Sequence, residues 1–185
     1  MYKDIIDENK ERMDKTIKSL HYALNNIRTG RANPMLLDSI KADYYGVETP
    51  LNQMAAISSP EARVLQITPW DVKALGAIER AIHMSDIGLN PNNDGKSIRL
   101  VFPELNEERR KELAKQAKKE GEESKIAIRS IRKDGLDAIK KLEKDKVISE
   151  DDMHTANDEY QKVVDDYIKK IETVVDEKVN EIMTV

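Results

Sequence analysis

The chain has 185 residues, of which 36% are charged and only 4% aromatic. That balance points to long, solvent-bathed helices and away from one thick globular core. No cysteine is present, which excludes disulfides, thiolate metal sites and a cysteine nucleophile, and His21, His83 and His154 form no HxxxH or HExxH pair, so no metal site is expected. The N-terminus is charged from its first residues, and no run approaches the roughly 18 apolar residues of a membrane span, so a soluble cytosolic protein with no membrane association is expected. A net charge of −4 conceals a division: residues 105–146 carry 14 basic and 10 acidic side chains, whereas residues 147–185 carry 4 and 11. A local field of this kind matters more to a polyanionic partner than the global charge does.

Residues 2–29 read as a helix, with Ile6, Met13, Ile17, Leu20, Leu24 and Ile27 on one stripe. Gly30 suits the position after its end, and Asn33-Pro34 blocks continuation. Residues 32–104 change texture and hold all six prolines with the only Trp and Phe. Strands are expected at Leu37–Tyr45, Ala62–Thr68 and Ser97–Phe102, a tight turn around Tyr45-Gly46, and a short helix at Asp71–Ser85 with Leu75, Ile78 and Ile82 on one face. Gly88–Gly95 reads as a plain connecting loop without a nucleotide-binding glycine pattern.

Helix returns over 105–146, with Asn106 as N-cap and a stripe through Leu113, Ala117, Gly121, Ser124, Ile128, Ile131, Gly135, Ala138 and Leu142. The two glycines and the serine on that stripe predict close approach of a neighbouring helix. Ser149 and Asp152 form a capping signature for a third helix that runs to about Met183, its stripe through Met153, Ala156, Tyr160, Val163, Tyr167, Ile171, Val174 and Ile182. Two such helices alone would leave their apolar stripes half exposed, and the first helix carries a matching stripe. The simplest α+β solution is an elongated three-helix bundle, residues 1–30 with 105–185, interrupted by an inserted α/β domain over 31–104. The chain then crosses between domains twice, making Thr29, Gly30, Arg31, Ala32, Pro103, Glu104 and Leu105 the candidate hinge.

The most informative constellation lies on the second long helix. On a helical projection Lys111, Lys118, Lys125, Arg129, Arg132 and Lys140 fall within about 40° of one direction, with Lys115 and Lys133 at about 60°. This ridge runs beside the apolar stripe and clear of it, and only Glu122 and Glu143 interrupt it. It can match the phosphate spacing of a structured nucleic acid, and the lack of interleaved aromatics favours backbone and shape recognition of folded RNA over single-strand stacking. An ordinary solvated face is the alternative. Arg28 and Arg31 either satisfy carbonyls at a helix end or extend the ridge. Core positions are expected for Tyr44 and Tyr45. Paired carboxylates on the third helix read as solvated surface, and no residue set argues for an enzyme.

Several runs stand in a specific order: Asn26-Ile27-Arg28-Thr29-Gly30-Arg31-Ala32-Asn33-Pro34, then Asp43-Tyr44-Tyr45-Gly46-Val47-Glu48-Thr49-Pro50-Leu51, then Ser85-Asp86-Ile87-Gly88-Leu89-Asn90-Pro91-Asn92 and Ile98-Arg99. Leu105–Leu113, Ile128-Arg129-Ser130-Ile131-Arg132-Lys133-Asp134 and Lys146-Val147-Ile148-Ser149-Glu150-Asp151 follow. On these residues the sequence, along its whole length, resembles the ribosome recycling factor family. Asn106 stands where a threonine is common and Lys133 where an arginine is common; both substitutions keep the cap or the charge.

The resemblance implies an L-shaped, tRNA-sized molecule, a three-helix bundle and a β/α/β domain joined by a flexible hinge. It implies a translation factor without enzymatic activity or cofactor, expected as a monomer, that binds the large subunit of the post-termination ribosome. With elongation factor G and GTP it would split the subunits, the bundle contacting ribosomal RNA and the second domain facing the elongation factor. The RNA contacts it implies are Arg132 and Arg129, Lys133, Lys125 and Lys118, with Arg28 and Arg31 at the bundle end. The competing reading is a coiled-coil protein-interaction or chaperone-like module.

Overall fold

The computed structural model describes residues 1–184 and comprises two units, Met1–Ile27 with Glu108–Thr184, and Arg28–Glu107. Helix α1 covers Tyr2–Asn25 and ends earlier than the expected residue 29. Asn25 and Asn26 are poor helix formers that compete for backbone hydrogen bonds, and Ile27 is buried although it lies outside the helix. Gly30 therefore lies well past the helix end, at a φ of +79° that only glycine adopts without strain.

In the second unit, Asn33 accepts a hydrogen bond from the Met35 N–H and starts a 3-10 turn over Pro34–Leu37. That turn consumes the first half of the strand expected from Leu37, and β1 is only Lys41–Tyr44. It pairs with β2 (Val47–Pro50) through a two-residue turn at Tyr45-Gly46, both at positive φ, as hairpin twist demands. A single helical turn, α2 (Leu51–Met54), leads into β3 (Ala55–Glu61), β4 (Val64–Pro69), α3 (Leu75–His83), β5 (Asn92–Asn93) and β6 (Ile98–Val101). The second sheet is antiparallel throughout, in the order β3-β4-β6-β5. Asp71 caps a 3-10 turn ahead of α3, which begins at Leu75 instead of Asp71 and faces the core with Leu75, Ile78 and Ile82.

Strand β3 was not foreseen: Ala-Ala-Ile-Ser-Ser-Pro-Glu has weak alternation, and its proline is tolerated because the strand is an edge. Tyr45 corrects the expected core placement. It stands 75% exposed at the hairpin tip, its hydroxyl donating to Asp71 Oδ2 at 2.7 Å, while Tyr44 is half-buried against the core.

Helix α4 (Glu107–Lys144) and helix α5 (Glu150–Met183) complete the first unit. The capping box at Ser149 and Asp152 forms as expected. Helices α1 and α5 run parallel, tied by Tyr2 to Glu159 and by the Tyr167 hydroxyl to Asp14 at 2.6 Å. Helix α4 runs antiparallel to both, with Arg12 to Asp134 at 2.9 Å and the buried Tyr160 hydroxyl donating to the Ile131 carbonyl at 2.8 Å. The small residues work as the stripe suggested: a Cβ on Gly135 would lie 2.4 Å from the Tyr160 ring, and one on Gly121 2.6 Å from Val175. The buried set drifts from the expected one, with Ile139 in place of Ala138 and Leu142, Val164 and Val175 in place of Val163 and Val174, and Ile17 and Met153 only half-buried. At each of these places the neighbouring residue of the same helix, one position along, lies closer to the centre of the packed face, a difference that a choice between steps of three and four leaves open.

Candidate nucleic-acid interface

Because α4 is unbroken over 38 residues, the helical projection of its cations holds in three dimensions. Consecutive residues advance about 1.5 Å, so Arg129 and Arg132 stand roughly 4.5 Å apart along the axis, and Lys118 and Lys133 about 22 Å apart. Lys118, Arg129, Arg132 and Lys133 are exposed, whereas Lys125 is half-buried.

Their partners differ. Lys125 Nζ lies 3.2 Å from Glu172 on α5 and 3.5 Å from Glu122 on its own helix, with 18% of its side chain exposed. Two carboxylates thus offset its charge. Arg132 donates its Nε to Gln161 Oε1 at 2.8 Å, and the Gln161 amide donates in turn to Asp165 Oδ1 at 2.8 Å. Lys118, Arg129 and Lys133 have no hydrogen bond or ion pair among the described residues. Near Lys118 and Lys125, a shallow cleft of about 350 Å³ opens at Gly121, its far wall formed by Glu172 and Asp176 of α5.

Arg28 and Arg31 belong to the other unit. Arg28 donates to the carbonyls of Asp86, at 3.3 Å, and of Ile87, so its guanidinium holds the chain after α3. It satisfies carbonyls, as one reading of it expected, but those of a distant loop and not those ending α1. Arg31 is exposed, with its backbone N–H donating to the hydroxyl of buried Thr29. Among the other crossing residues, the Ala32 N–H donates to the Ala62 carbonyl at 2.8 Å and Glu104 lies 4.0 Å from Arg63. Pro103 is exposed and Leu105 half-buried.

The perturbed titrating groups belong to packing and turns. Burial pushes the hydroxyls of Tyr160 and Tyr167 up to about 12, and for Tyr167 the bond to Asp14 adds to it. The Tyr45 hydroxyl lowers the Asp71 carboxyl, and the backbone N–H groups of Ser97 and Lys96 lower Asp94. Among the described residues no group of three His, Cys, Asp or Glu side chains could hold a metal ion.

From the sequence Gln161 by itself carries no signal, Asp165 belongs to the paired carboxylates expected on a solvated surface, and Glu172 reads as an exposed acid whose replacement should do little. The structure instead brings all three to the ridge. The i, i+4 spacing of Gln161 and Asp165 is a visible signal for a same-helix bond. Their register against α4 is set by packing at Gly121 and Gly135, which spacing within α5 does not encode.

The family model described as ribosome recycling factor matches residues 20–183. A ribosome-recycling factor of Clostridium acetobutylicum is 52% identical over 185 residues, covering all of both chains. A solution structure of the ribosome recycling factor superposes with a TM-score of 0.81 at 36% identity, covering 100% of this chain and 98% of that one. A ribosome recycling factor of T. thermophilus, in models that include E. coli elongation factor G bound to the E. coli post-termination complex, gives a TM-score of 0.67 at 43% identity, with 98% of each chain covered.

Proposed function

The chain belongs to the ribosome recycling factor family, and from that premise we propose that it binds the large subunit of the post-termination ribosome and, with elongation factor G and GTP, promotes subunit dissociation and release from mRNA. The observation that carries the reading is the row of exposed cations on α4, with Lys118, Arg129 and Lys133 unpaired and Arg132 held by a neutral partner. Their spacing suits the phosphates of folded ribosomal RNA, and Arg129 and Arg132 can each grip a phosphate with a planar fork that lysine lacks. Lys125 contributes less while Glu172 and Glu122 hold it.

The part played is mechanical and not enzymatic. The bundle is anchored by phosphate contacts, and the elongation factor, which hydrolyses the GTP, drives the second domain about a hinge. We assign that hinge to Thr29–Ala32 and Pro103–Leu105, where the chain crosses twice without helix or strand. Arg28, Ala32, Phe102 and Glu104 are already tied within the second domain, so among these residues Leu105 is the freest, and on the first crossing a hinge motion has either to release the Arg28 bonds or to turn ahead of Arg28. Arg28, engaged with the carbonyls after α3, would have to exchange them for phosphate, so Arg31 is the stronger contact of the two. Among the described residues no helix is long and apolar enough to cross a membrane, and we place the protein, as a monomer, in the cytoplasm with the ribosomes.

Co-sedimentation with isolated large subunits across a salt series tests the reading. Binding that weakens steadily with salt is expected, because phosphate contacts release counterions. Absence of binding, or binding indifferent to salt alongside affinity for unrelated proteins, would favour a protein-interaction module instead.

A further inference from the structure

We propose that Gln161, itself oriented by Asp165, is a positioning residue that prepares Arg132 for a phosphate of the ribosomal RNA; the proposal rests on the reading of the α4 ridge given above. The guanidinium of Arg132 has five donors in one plane. Its Nε is committed to Gln161 Oε1 at 2.8 Å, and the two terminal η nitrogens have no partner among the described residues. A fork held at its base and open at its tip presents two parallel N–H donors to an incoming anion. The side chain's rotamer freedom is then spent before binding, not during it.

The chemistry of the partner matters as much as its place. Glu172 shows the alternative on the same helix: its carboxylate lies 3.2 Å from Lys125 Nζ, which is 18% exposed. A carboxylate at position 161 would likewise orient Arg132, but it would also offset the charge that the phosphate needs. An amide oxygen supplies direction while leaving the guanidinium fully positive. An amide can also turn, and presenting its NH2 to Arg132 would repel the arginine. Asp165 removes that ambiguity, because its carboxylate accepts from Gln161 Nε2 at 2.8 Å and so fixes the oxygen toward Arg132.

The test is a double-mutant cycle read by binding to isolated large subunits at several salt concentrations, with helical circular dichroism and thermal melting as checks on the fold. Gln161→Ala should weaken binding about three- to tenfold, and Gln161→Met, of similar size but without the oxygen, should do the same. Gln161→Glu should weaken binding at least as much and flatten the salt dependence, since the ion pair it forms competes with phosphate. In an Arg132→Ala background, Gln161→Ala should have no further effect, which a merely structural role would not produce. Equal weakening by Gln161→Ala with and without Arg132 overturns the proposal, as does unchanged binding in Gln161→Ala when Arg132→Ala alone is impaired. Unchanged binding in Arg132→Ala itself would overturn the assignment of Arg132 as an RNA contact, and the positioning role with it.

Discussion

Lys125 and Arg132 stand two helical turns apart on one face of α4, yet α5 meets them with different chemistry. The end of the ridge around Lys118 and Lys125 faces Glu172 and Asp176 across the Gly121 cleft. Toward the other end Arg132 meets Gln161, whose amide donates to Asp165, while Arg129 and Lys133 have no hydrogen bond or ion pair among the described residues. Counting cations along α4 makes the two ends look equivalent. Counting what the neighbouring helix places against them separates a partly neutralised end from an available one. In a protein whose net charge is −4, availability is set by such pairings more than by the number of basic residues.

The largest expected effect comes from disturbing the seam that sets both pairings. Gly135→Ala would drive a methyl into the fully buried Tyr160 ring. Overpacking there should cost about 3 kcal/mol, against a helix-propensity gain of about 1 kcal/mol. A thermal melt should show the loss directly, and an unchanged melting temperature would mean that α4 and α5 can part at little cost.

Next in size is the contrast between the two ends of the ridge. Arg132→Ala should weaken large-subunit binding about ten- to a hundredfold, the worth of one charge-assisted contact, with Arg132→Lys recovering only part. Lys125→Ala should cost about threefold or less, because its charge is already shared with two carboxylates. Equal losses at the two sites would erase the distinction. Smaller again is Glu172→Gln, which should raise affinity about two- to threefold by releasing Lys125. Glu172, although an exposed acid, therefore acts on the ridge through Lys125.

The smallest effect is confined to alkaline pH. Tyr160 lies on the α4–α5 seam and Tyr167 on the α1–α5 seam, both with hydroxyls at about 12, above the usual tyrosine value of 10. The folded state holds these protons where the unfolded chain has lost them. The stability they contribute is thus complete below about pH 10 and disappears as pH rises through 12. An ultraviolet titration should show these two tyrosines ionising late, together with a falling melting temperature above pH 10. Ionisation of Tyr160 and Tyr167 near 10 in the folded protein would mean that their hydroxyls are not held as described.

The helical unit was largely legible in the sequence because its signals are long and redundant. Stripes over α4 and α5 predicted three packed helices, and Gly121 and Gly135 marked the close approach. In α5 the misses fall inside the stripe, Val164 for Val163 and Val175 for Val174, between correctly read Tyr160, Tyr167, Ile171 and Ile182, because adjacent valines both lie near the apolar face and steps of three and of four are equally compatible with one face. In the second unit the elements are short, so local chemistry decides them. The Asn33 cap shortened the first expected strand, and β3 lacked the alternation that would reveal it. The hairpin turn at Tyr45-Gly46 was readable, but that the tip lifts Tyr45 into solvent depends on a twist visible only in three dimensions. On the ridge, each cation and its helical face could be read from spacing. Which of them Gln161 and Glu172 would hold could not, since that depends on the register between two helices.

The central claim is that the exposed cations of α4 grip ribosomal RNA through its phosphates. Its most direct test is the salt dependence of large-subunit binding for the wild type against Arg129→Ala/Arg132→Ala/Lys133→Ala. Each lost phosphate contact should reduce the slope of log affinity against log salt by about one. The account predicts a slope shallower by about three in the triple variant, with helical circular dichroism unchanged. A slope equal to that of the wild type would contradict it.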